Sequence, residues 1–219
     1  MIQVQNVTKI YPVAHGRRLV LDDASIDLPG DRNIGLLGVN GAGKSTLLRL
    51  IAGTELPTHG RVLREGAVSW PIGFTGSFNG SSTGRANVKF IARIYGRDID
   101  RAIEFVEDFS ELGPYFDQPV KTYSSGMRAR LAFGVSMAID FNTYLVDEVT
   151  AVGDARFAEK CAAEFRARSA HANIIMVSHS AATLREYCQS AALIAFGKIF
   201  YFADVEDGLR AYDDVLRFS

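Results

Sequence analysis

Residues 38–48 read GVNGAGKSTLL, with three glycines and a lysine ahead of two hydroxyl residues. The stretch satisfies the pattern G-x-x-x-x-G-K-[ST], and it lies between the apolar run NIGLLG and the helix-like run KSTLLRLIAG. Its glycines can turn without side-chain clashes, so successive backbone N–H groups can point into one concavity. A glycine-rich turn without a ligand is the alternative, and the strand–loop–helix context disfavours it. The stretch therefore predicts a phosphate-binding loop.

The polar residues of this loop have distinct predicted contacts with a nucleotide. Lys44 can reach the β- and γ-phosphates, the Ser45 hydroxyl can ligate Mg²⁺, and Thr46 can bond an α-phosphate. The start of the following helix adds its partial positive charge. We therefore expect a nucleotide and Mg²⁺ as ligands, with nucleotide contacts from Gly38, Asn40, Gly41, Ala42, Gly43, Lys44, Ser45 and Thr46.

Composition indicates an ordinary globular protein of one sizeable domain, with 219 residues, 47% of them hydrophobic and 22% charged. The net charge of -1 gives no general affinity for nucleic acid or anionic lipid. Cys161 and Cys188 have no metal-ligand spacing around them, which favours buried, reduced thiols in the cytosol over a disulfide. The first residues alternate like a strand rather than a signal peptide, and no apolar run reaches the ~18 residues that span a bilayer. Any work at a membrane would need a partner.

The order of predicted elements indicates an α/β fold. Short strands at residues 2–11 and 19–28 precede NIGLLG, and GRVLREGAVSW is expected to return to strand after the first helix. Three helical patterns without an intervening strand, from RANVKFIARIYG to MRARLAFGVSMAI, look like a helical insertion. Strands and helices then alternate from TYLVDE to GKIFYFAD. This order predicts a mainly parallel sheet covered on both faces.

The strand YLVDE ends in two adjacent acids, and successive residues at a strand end diverge. Asp147 is expected to hold Mg²⁺, directly or through water, and Glu148 to act as the general base on the attacking water. A strand followed by a solvated acidic turn is the alternative. Its position after a phosphate-binding loop favours the catalytic interpretation.

The segment YSSGMRARLAF resembles the signature motif of ATP-binding-cassette (ABC) ATPases, whose common form is L-S-G-G-Q. Ser124 and Gly126 match this form, whereas Ser125 stands for its first glycine and Met127 for its glutamine. Hydroxyl and N–H groups at a helix start can bind a γ-phosphate. A helix N-cap explains SSG equally well.

The same resemblance implies roles for three further residues. Asp154, in TAVGD, occupies the aspartate position of the family's D-loop, and His179, in NIIMVSHS, matches the switch histidine that contacts the γ-phosphate. Tyr11 lies where the family places an aromatic ring that stacks on adenine. Purely structural roles for His179 and Tyr11 are the alternatives.

One position departs from the family pattern. The family has a glutamine after its third strand, where it touches Mg²⁺ and senses the transmembrane partner, whereas GFTGSFNGSSTGRANV offers Asn79. Asparagine carries the same amide on a side chain one methylene shorter, which puts direct metal contact in doubt. Water mediation or a loop shift could compensate. The glycines and serines of this loop predict low local stability.

The resemblance covers the whole chain and implies one nucleotide-binding domain over residues 1–219. Its P-loop core would comprise residues 1–72 and 137–219, with a small N-terminal antiparallel sheet, and residues 73–136 would form the helical subdomain. Such domains pair head to tail, so Ser124, Ser125 and Gly126 of one copy would complete the ATP site of the other.

The segments SELGPYFDQPVKTYSSGM and DEVTAVGDARF are particularly similar to the ATPase subunits of capsular polysaccharide exporters. Most importer ATPases read D-E-P-[TF]-S-A-L-D instead, and Val149 and Gly153 depart from that form as the polysaccharide-export group does. The resemblance implies ATP hydrolysis beside a transmembrane permease, at the cytoplasmic face of the bacterial inner membrane. O-antigen or teichoic-acid exporters remain alternatives. A soluble ABC ATPase of repair or translation and a regulatory module without turnover are alternatives from other classes.

Overall fold

A computed structural model describes residues 1–14, 16–73, 76, 78–147, 154–169 and 171–218 of the chain. Within these ranges the chain forms two compact units, one of residues 1–71, 141–147 and 172–218 and the other of residues 72–140 and 154–171. Compactness does not by itself test the predicted domain boundaries at residues 73 and 136, which stay a prediction.

The first unit contains all the described strands, which are β1 (Ile2–Val13), β2 (Gly16–Leu28), β3 (Ile34–Leu37), β4 (His59–Arg64), β5 (Val68–Pro71), β6 (Thr143–Asp147), β7 (Asn173–Val177), β8 (Ser190–Ala195) and β9 (Lys198–Phe202). The described helices are α1 (Lys44–Ala52), α2 (Gly84–Ile94), α3 (Ile99–Ser110), α4 (Ser125–Ala138), α5 (Ala155–Ser169), α6 (Ala181–Tyr187) and α7 (Val205–Arg217). Helices α1, α6 and α7 belong to the first unit, and α2 to α5 belong to the second.

Two sheets build the first unit. The larger has six strands in the order β5-β6-β7-β3-β8-β9, and it is parallel except for β9, which pairs antiparallel with β8. The smaller is antiparallel, in the order β2-β1-β4. The predicted α/β class, with a mainly parallel sheet and a small N-terminal antiparallel sheet, is therefore confirmed.

Helix α1 forms the centre of the core that the two sheets share. Leu47, Leu48, Leu50 and Ile51 of this helix are completely buried. They pack in one cluster with side chains of both sheets, among them Leu21 of β2 and Leu36 of β3. Strand β3 is buried along its whole length, as expected of a central parallel strand covered on both faces. The core thus anchors both the strand and the helix that flank the glycine-rich loop.

Two features of the first unit differ from the prediction. GRVLREGAVSW is not one strand, because a turn with Gly66 at φ 82° separates β4 from β5, and the two strands enter different sheets. Helix α7 is not among the predicted elements, although Asp204 caps its start by accepting a hydrogen bond from the Glu206 amide at 2.7 Å. Its buried residues, Val205, Gly208 and Leu209, lie on one face with the i, i+3, i+4 spacing of an amphipathic helix.

The second unit is helical, as the sequence predicts for residues 73–136. Side-chain N-caps start its helices: Thr83 caps α2, Asp98 caps α3 and Ser124 caps α4. The Phe109 ring packs against the rings of Phe105, Phe133 and Phe157, so α3, α4 and α5 share one aromatic cluster.

Both cysteines are free and buried, as predicted, and burial raises the pKa of each thiol to about 12.

Candidate functional site

The glycine-rich loop between β3 and α1 has the backbone geometry of a phosphate cradle. Gly38, Gly41 and Gly43 have φ angles of 151°, 79° and 111°, which side chains rarely adopt. A Cβ on Gly43 would lie 2.6 Å from Cγ1 of Val20, and one on Gly38 would lie 2.8 Å from the Ile194 carbonyl oxygen. The loop is therefore packed so closely against its neighbours that these two positions require glycine.

Lys44 begins α1 and folds back over this loop. Its Nζ donates to the carbonyl oxygens of Gly38 at 2.5 Å and Val39 at 3.1 Å. The ammonium is thus held above the loop, at the positive end of a helix dipole. An arriving phosphate would meet this cation together with the amides of the first helical turn.

Tyr11 and Thr46, the predicted adenine and α-phosphate contacts, lie side by side. Their hydroxyl oxygens are 3.4 Å apart, and Arg49 Nη2 donates to the Tyr11 oxygen at 3.2 Å and to the Thr46 oxygen at 3.3 Å. Arg49 is absent from the residues predicted for the site. Its position one helical turn after Thr46, on the same face of α1, is the signal that could have found it.

Glu55 and Lys9 complete this network and are also absent from the predicted site. Glu55 accepts from Arg49 Nε and pairs with Lys9 Nζ, each at 2.8 Å. Burial acts to raise the pKa of Glu55, but hydrogen bonds from Arg49, Lys9 and Tyr11 outweigh it and lower the pKa to about 2. The carboxylate is therefore charged at every physiological pH.

The carboxyl ends of three adjacent strands bring the other predicted residues of this unit to one edge. The glycine-rich loop follows β3, Asp147 ends β6, and His179 follows β7 by two residues. Strand β7 pairs with both of the others, Val177 lying opposite Leu36 on one side and Asp147 on the other. This edge is where parallel α/β sheets bind their ligands. Glu148, the predicted general base, lies outside the described residues.

Ser45 and Asp147 are the predicted Mg²⁺ ligands of this unit. Asp147 is half-buried at the end of its strand, and Ser45 lies in the first turn of α1. Across the described ranges no group of three or more His, Cys, Asp or Glu side chains could hold a metal ion. One hydroxyl and one carboxylate suit Mg²⁺, which keeps waters and takes its remaining ligands from phosphates.

In the second unit, the predicted signature residues start α4. Ser124 Oγ accepts a hydrogen bond from the Met127 amide at 3.2 Å, so Ser124 is the N-cap residue of the helix. Ser124 and Ser125 are both exposed. The N-cap interpretation is therefore correct, and it leaves the exposed helix start open to a ligand.

Asp154, the predicted D-loop aspartate, also caps a helix. Its Oδ1 accepts from the Phe157 amide at 3.0 Å, and its Oδ2 pairs with Arg130 Nη2 at 2.9 Å. The Phe157 amide and the Arg130 charge lower the pKa of Asp154. Because Arg130 belongs to α4, this pair joins the helix of the signature residues to α5.

Hydrogen bonds connect the segment around Asn79 to its own turn and to residues 120–121. Asn79 Oδ1 accepts from the Ser81 amide at 2.9 Å, so the amide oxygen expected near Mg²⁺ stabilises its own turn. The Lys121 amide donates to the Gly80 carbonyl and the Val120 amide to the Ser82 carbonyl. The predicted low local stability of this loop stays a prediction. Phe74, Thr75 and Ser77, in the earlier part of this loop, lie outside the described residues.

The glycine-rich loop after β3, Lys44 and the acid Asp147 at the end of β6 together define a P-loop nucleotide-binding protein. A model of the ABC transporter family matches residues 21–151, and the chain belongs to that family. It is accordingly an ATPase of the ATP-binding-cassette type, and it binds nucleotide.

Three curated relatives match nearly the whole chain. The polysialic acid transport ATP-binding protein KpsT of Escherichia coli is 50% identical over 97% of this chain and 96% of its own length. The capsule polysaccharide export ATP-binding protein CtrD of Neisseria meningitidis serogroup B is 48% identical over 98% of this chain and 100% of its own length. The teichoic acids export ATP-binding protein TagH of Staphylococcus haemolyticus is 36% identical, over 99% and 89%.

A solved structure has the same fold. The ATP-binding cassette MJ0796, in a dimeric post-hydrolysis state bound to ADP and Pi, superposes with a TM-score of 0.72 at 19% identity, covering 94% of this chain and 99% of that one. In the part of the chain that is described, no helix is both long and apolar enough to cross a membrane.

Proposed function

We propose that the chain is the ATP-hydrolysing subunit of an exporter of capsular polysaccharide. The observation that carries the substrate class is the 48–50% identity to KpsT and CtrD along almost the whole chain, against 36% to TagH. The phosphate cradle and its strand-edge acid support the same proposal from the chemistry of the site.

In this proposal, different residues of the first unit bind the phosphates, the adenine and the metal ion of Mg²⁺–ATP. The loop amides and Lys44 bind the β- and γ-phosphates, and Thr46 donates to the α-phosphate. Tyr11 stacks on adenine. Ser45 and Asp147 hold Mg²⁺, which when bound neutralises phosphate charge and aligns the phosphate chain. Glu148 takes a proton from the attacking water, and His179 contacts the γ-phosphate.

A second copy of the chain completes each ATP site. In this arrangement the α4 start, at Ser124, Ser125 and Gly126, binds the γ-phosphate held by its partner, and Asp154 is the D-loop aspartate at the same interface. The dimeric state of the MJ0796 cassette supports such a pairing. Closing and opening of the pair would drive a transmembrane permease at the cytoplasmic face of the inner membrane.

Asn79 and the segment after it form the proposed contact with the permease. The backbone bonds of Gly80 and Ser82 to residues 120–121 give this segment a defined shape that a partner can push against. They also connect it to the chain that leads into the signature residues. Asn79 would reach Mg²⁺ only through water, since its side-chain oxygen is engaged with the Ser81 amide.

The function is tested by replacing the subunit in capsule-forming cells that depend on it. Deletion should abolish surface polysaccharide, and the wild-type chain should restore it. Gly80→Glu should impair capsule assembly while the purified variant still binds ATP, and Asn79→Gln should be tolerated. A Cβ on Gly80 would lie 3.6 Å from the Lys121 Cβ, an ordinary contact, so Gly80→Ala is a matched control that should be silent.

Two outcomes would contradict parts of this proposal. Normal capsule with Gly80→Glu would show that this segment does not transmit the motion of the ATPase to the permease. Loss of a wall polymer other than capsule upon deletion would reassign the exported substrate.

A further inference from the structure

One guanidinium connects the two hydroxyl groups that we assign to adenine and α-phosphate binding. Arg49 Nη2 lies 3.2 Å from the Tyr11 oxygen and 3.3 Å from the Thr46 oxygen, and it carries two N–H groups in a planar fork. Both oxygens lie within hydrogen-bond distance of this one nitrogen, so Arg49 links the two hydroxyls.

Arg49 is also bound through Nε, on the other edge of its guanidinium. Its Nε donates to one oxygen of Glu55, whose other oxygen pairs with Lys9 at the same 2.8 Å distance. Only 20% of the Glu55 side chain and 12% of the Lys9 side chain are exposed, so solvent screens this pair weakly. Lys9 Nζ also donates to the Leu56 carbonyl at 2.7 Å.

The network closes on Tyr11. Lys9 Nζ lies 4.9 Å from the centre of the Tyr11 ring, within reach of a cation–π interaction. The ring therefore has one face covered by an ammonium and its hydroxyl bound by a guanidinium. Its remaining face is the one left for a stacked base.

The directions of the hydrogen bonds suit a phosphate at Thr46. Its hydroxyl oxygen accepts a hydrogen bond from Arg49 Nη2 at 3.3 Å, a donor that has no lone pair to accept the Thr46 proton in return. The Thr46 proton then remains available as a donor. A phosphate oxygen, which only accepts, is the complementary ligand.

We propose that Arg49, anchored by Glu55, is a positioning residue that holds Tyr11 and Thr46 in their nucleotide-binding geometry before ATP arrives. The inference rests on the proposed function, since it takes both residues as nucleotide contacts. Preorganisation removes the cost of ordering side chains on binding, so losing Arg49 should weaken ATP binding about 2- to 10-fold.

The test is a double-mutant cycle on the purified full chain, with ATP affinity measured by calorimetric titration. Tyr11→Ala should weaken binding about tenfold through lost stacking, and Arg49→Met should weaken it by the smaller factor above. Because Arg49 acts partly through Tyr11, the double variant should bind better than the product of the two losses predicts. The proposal would be overturned if the affinity losses of the two single variants multiply in the double variant, or if Arg49→Met binds ATP with wild-type affinity.

Two further variants separate positioning from general support of α1. Arg64 donates to the carbonyl oxygens of Leu50 and Ile51 at the end of the same helix, without a contact to Tyr11 or Thr46. Arg64→Met should lower thermal stability, and its effect on ATP affinity should multiply with that of Tyr11→Ala. Glu55→Gln keeps the side-chain volume but removes the negative charge that holds Arg49, so it should reproduce part of the non-multiplicative loss of Arg49→Met. If Arg64→Met and Arg49→Met combine with Tyr11→Ala in the same way, Arg49 supports the helix and does not position Tyr11 and Thr46.

Two further measurements distinguish failure of this inference from failure of the proposed ATP site. One uses inorganic tripolyphosphate, which lacks a base, and the other uses a Lys44→Ala variant. Arg49→Met should lose less affinity for tripolyphosphate than for ATP, because only the Thr46 part of its role remains; equal losses would count against the proposal. If Lys44→Ala weakens ATP binding while Arg49→Met does not, only the role of Arg49 fails. Unchanged ATP binding by Lys44→Ala would remove the proposed site itself and this inference with it.

Discussion

Arg130 of α4 and Asp154 at the start of α5 form an ion pair, with Nη2 and Oδ2 2.9 Å apart. Arg130 also pairs with Glu111 at 3.3 Å, and its guanidinium lies 4.2 Å from the centre of the Phe157 ring. Only 19% of its side chain is exposed, so these contacts are better shielded from solvent than those of most surface pairs. The helix that begins with the signature residues is thereby fastened to the helix that follows the D-loop.

Replacing Arg130 by Met should destabilise the second unit and slow ATP turnover. The change removes the ion pairs with Asp154 and Glu111 while keeping most of the apolar stem, so the Tm should fall measurably. Differential scanning calorimetry and an ATPase assay measure the two effects. The exposed pair of Arg185 with Glu206 provides the control, since Arg185→Met should change neither quantity noticeably. A Tm unchanged by Arg130→Met would mean that the pair contributes nothing to holding these helices.

Lys44→Ala should weaken ATP binding itself. The lysine supplies a charge-assisted hydrogen bond to the terminal phosphates, and its loss should reduce affinity about 10- to 100-fold. His179→Ala should instead spare most of the affinity and lower turnover. Equilibrium binding and steady-state hydrolysis, measured on both variants, separate the roles; equal losses of affinity would show that the γ-phosphate role of His179 is misassigned.

Glu148→Gln should keep ATP binding and cut hydrolysis by ~10²-fold or more, as removal of a general base does. The closed, ATP-bound dimer should accumulate, because it can no longer discharge its nucleotide. Size-exclusion chromatography with ATP would detect the dimer, and a phosphate-release assay the lost turnover. Undiminished phosphate release would assign the base to another residue.

Glu55 should stabilise the fold at neutral pH and lose that contribution in acid. Its pKa in the folded protein, about 2, lies below the usual value of 4.5, so the folded state favours the charged carboxylate. The contribution is complete above about pH 5 and declines as the pH falls from 4.5 towards 2. The difference in free energy of unfolding between wild type and Glu55→Gln, from urea titrations, should therefore shrink between pH 6 and pH 3. A difference that does not depend on pH would show that the carboxylate is not specifically paired in the folded state.

The phosphate-binding loop could be predicted from sequence because its requirements are local. Backbone angles that favour glycine, a lysine in the first helical turn and a hydroxyl after it all lie within eight consecutive residues. The caps of α1 and α4 are local in the same sense: Gly53 ends the first helix in the left-handed region, and Ser124 starts the other. The alternating order of strands and helices was likewise sufficient to predict the α/β class.

Residues that meet across the chain could not be predicted in the same way. Glu55 reaches Lys9, and Arg130 reaches Asp154, only because segments that are distant along the chain pack together. The split of GRVLREGAVSW between two sheets also depends on hydrogen-bond partners elsewhere, β1 for one strand and β6 for the other. No short-range pattern distinguishes these two strands from one bent strand.

The sequence by itself determined the chemistry of this protein, because phosphate binding needs a few residue types at fixed, short spacing. Tertiary structure alone decided which further residues contact the predicted site, Arg49 and Glu55 beside Tyr11 and Thr46 and Arg130 beside Asp154. The physical reason is that a charged side chain acts through its nearest neighbours within about 4 Å. Those neighbours are set by the packing of distant strands and helices, which the order of residues along the chain does not display.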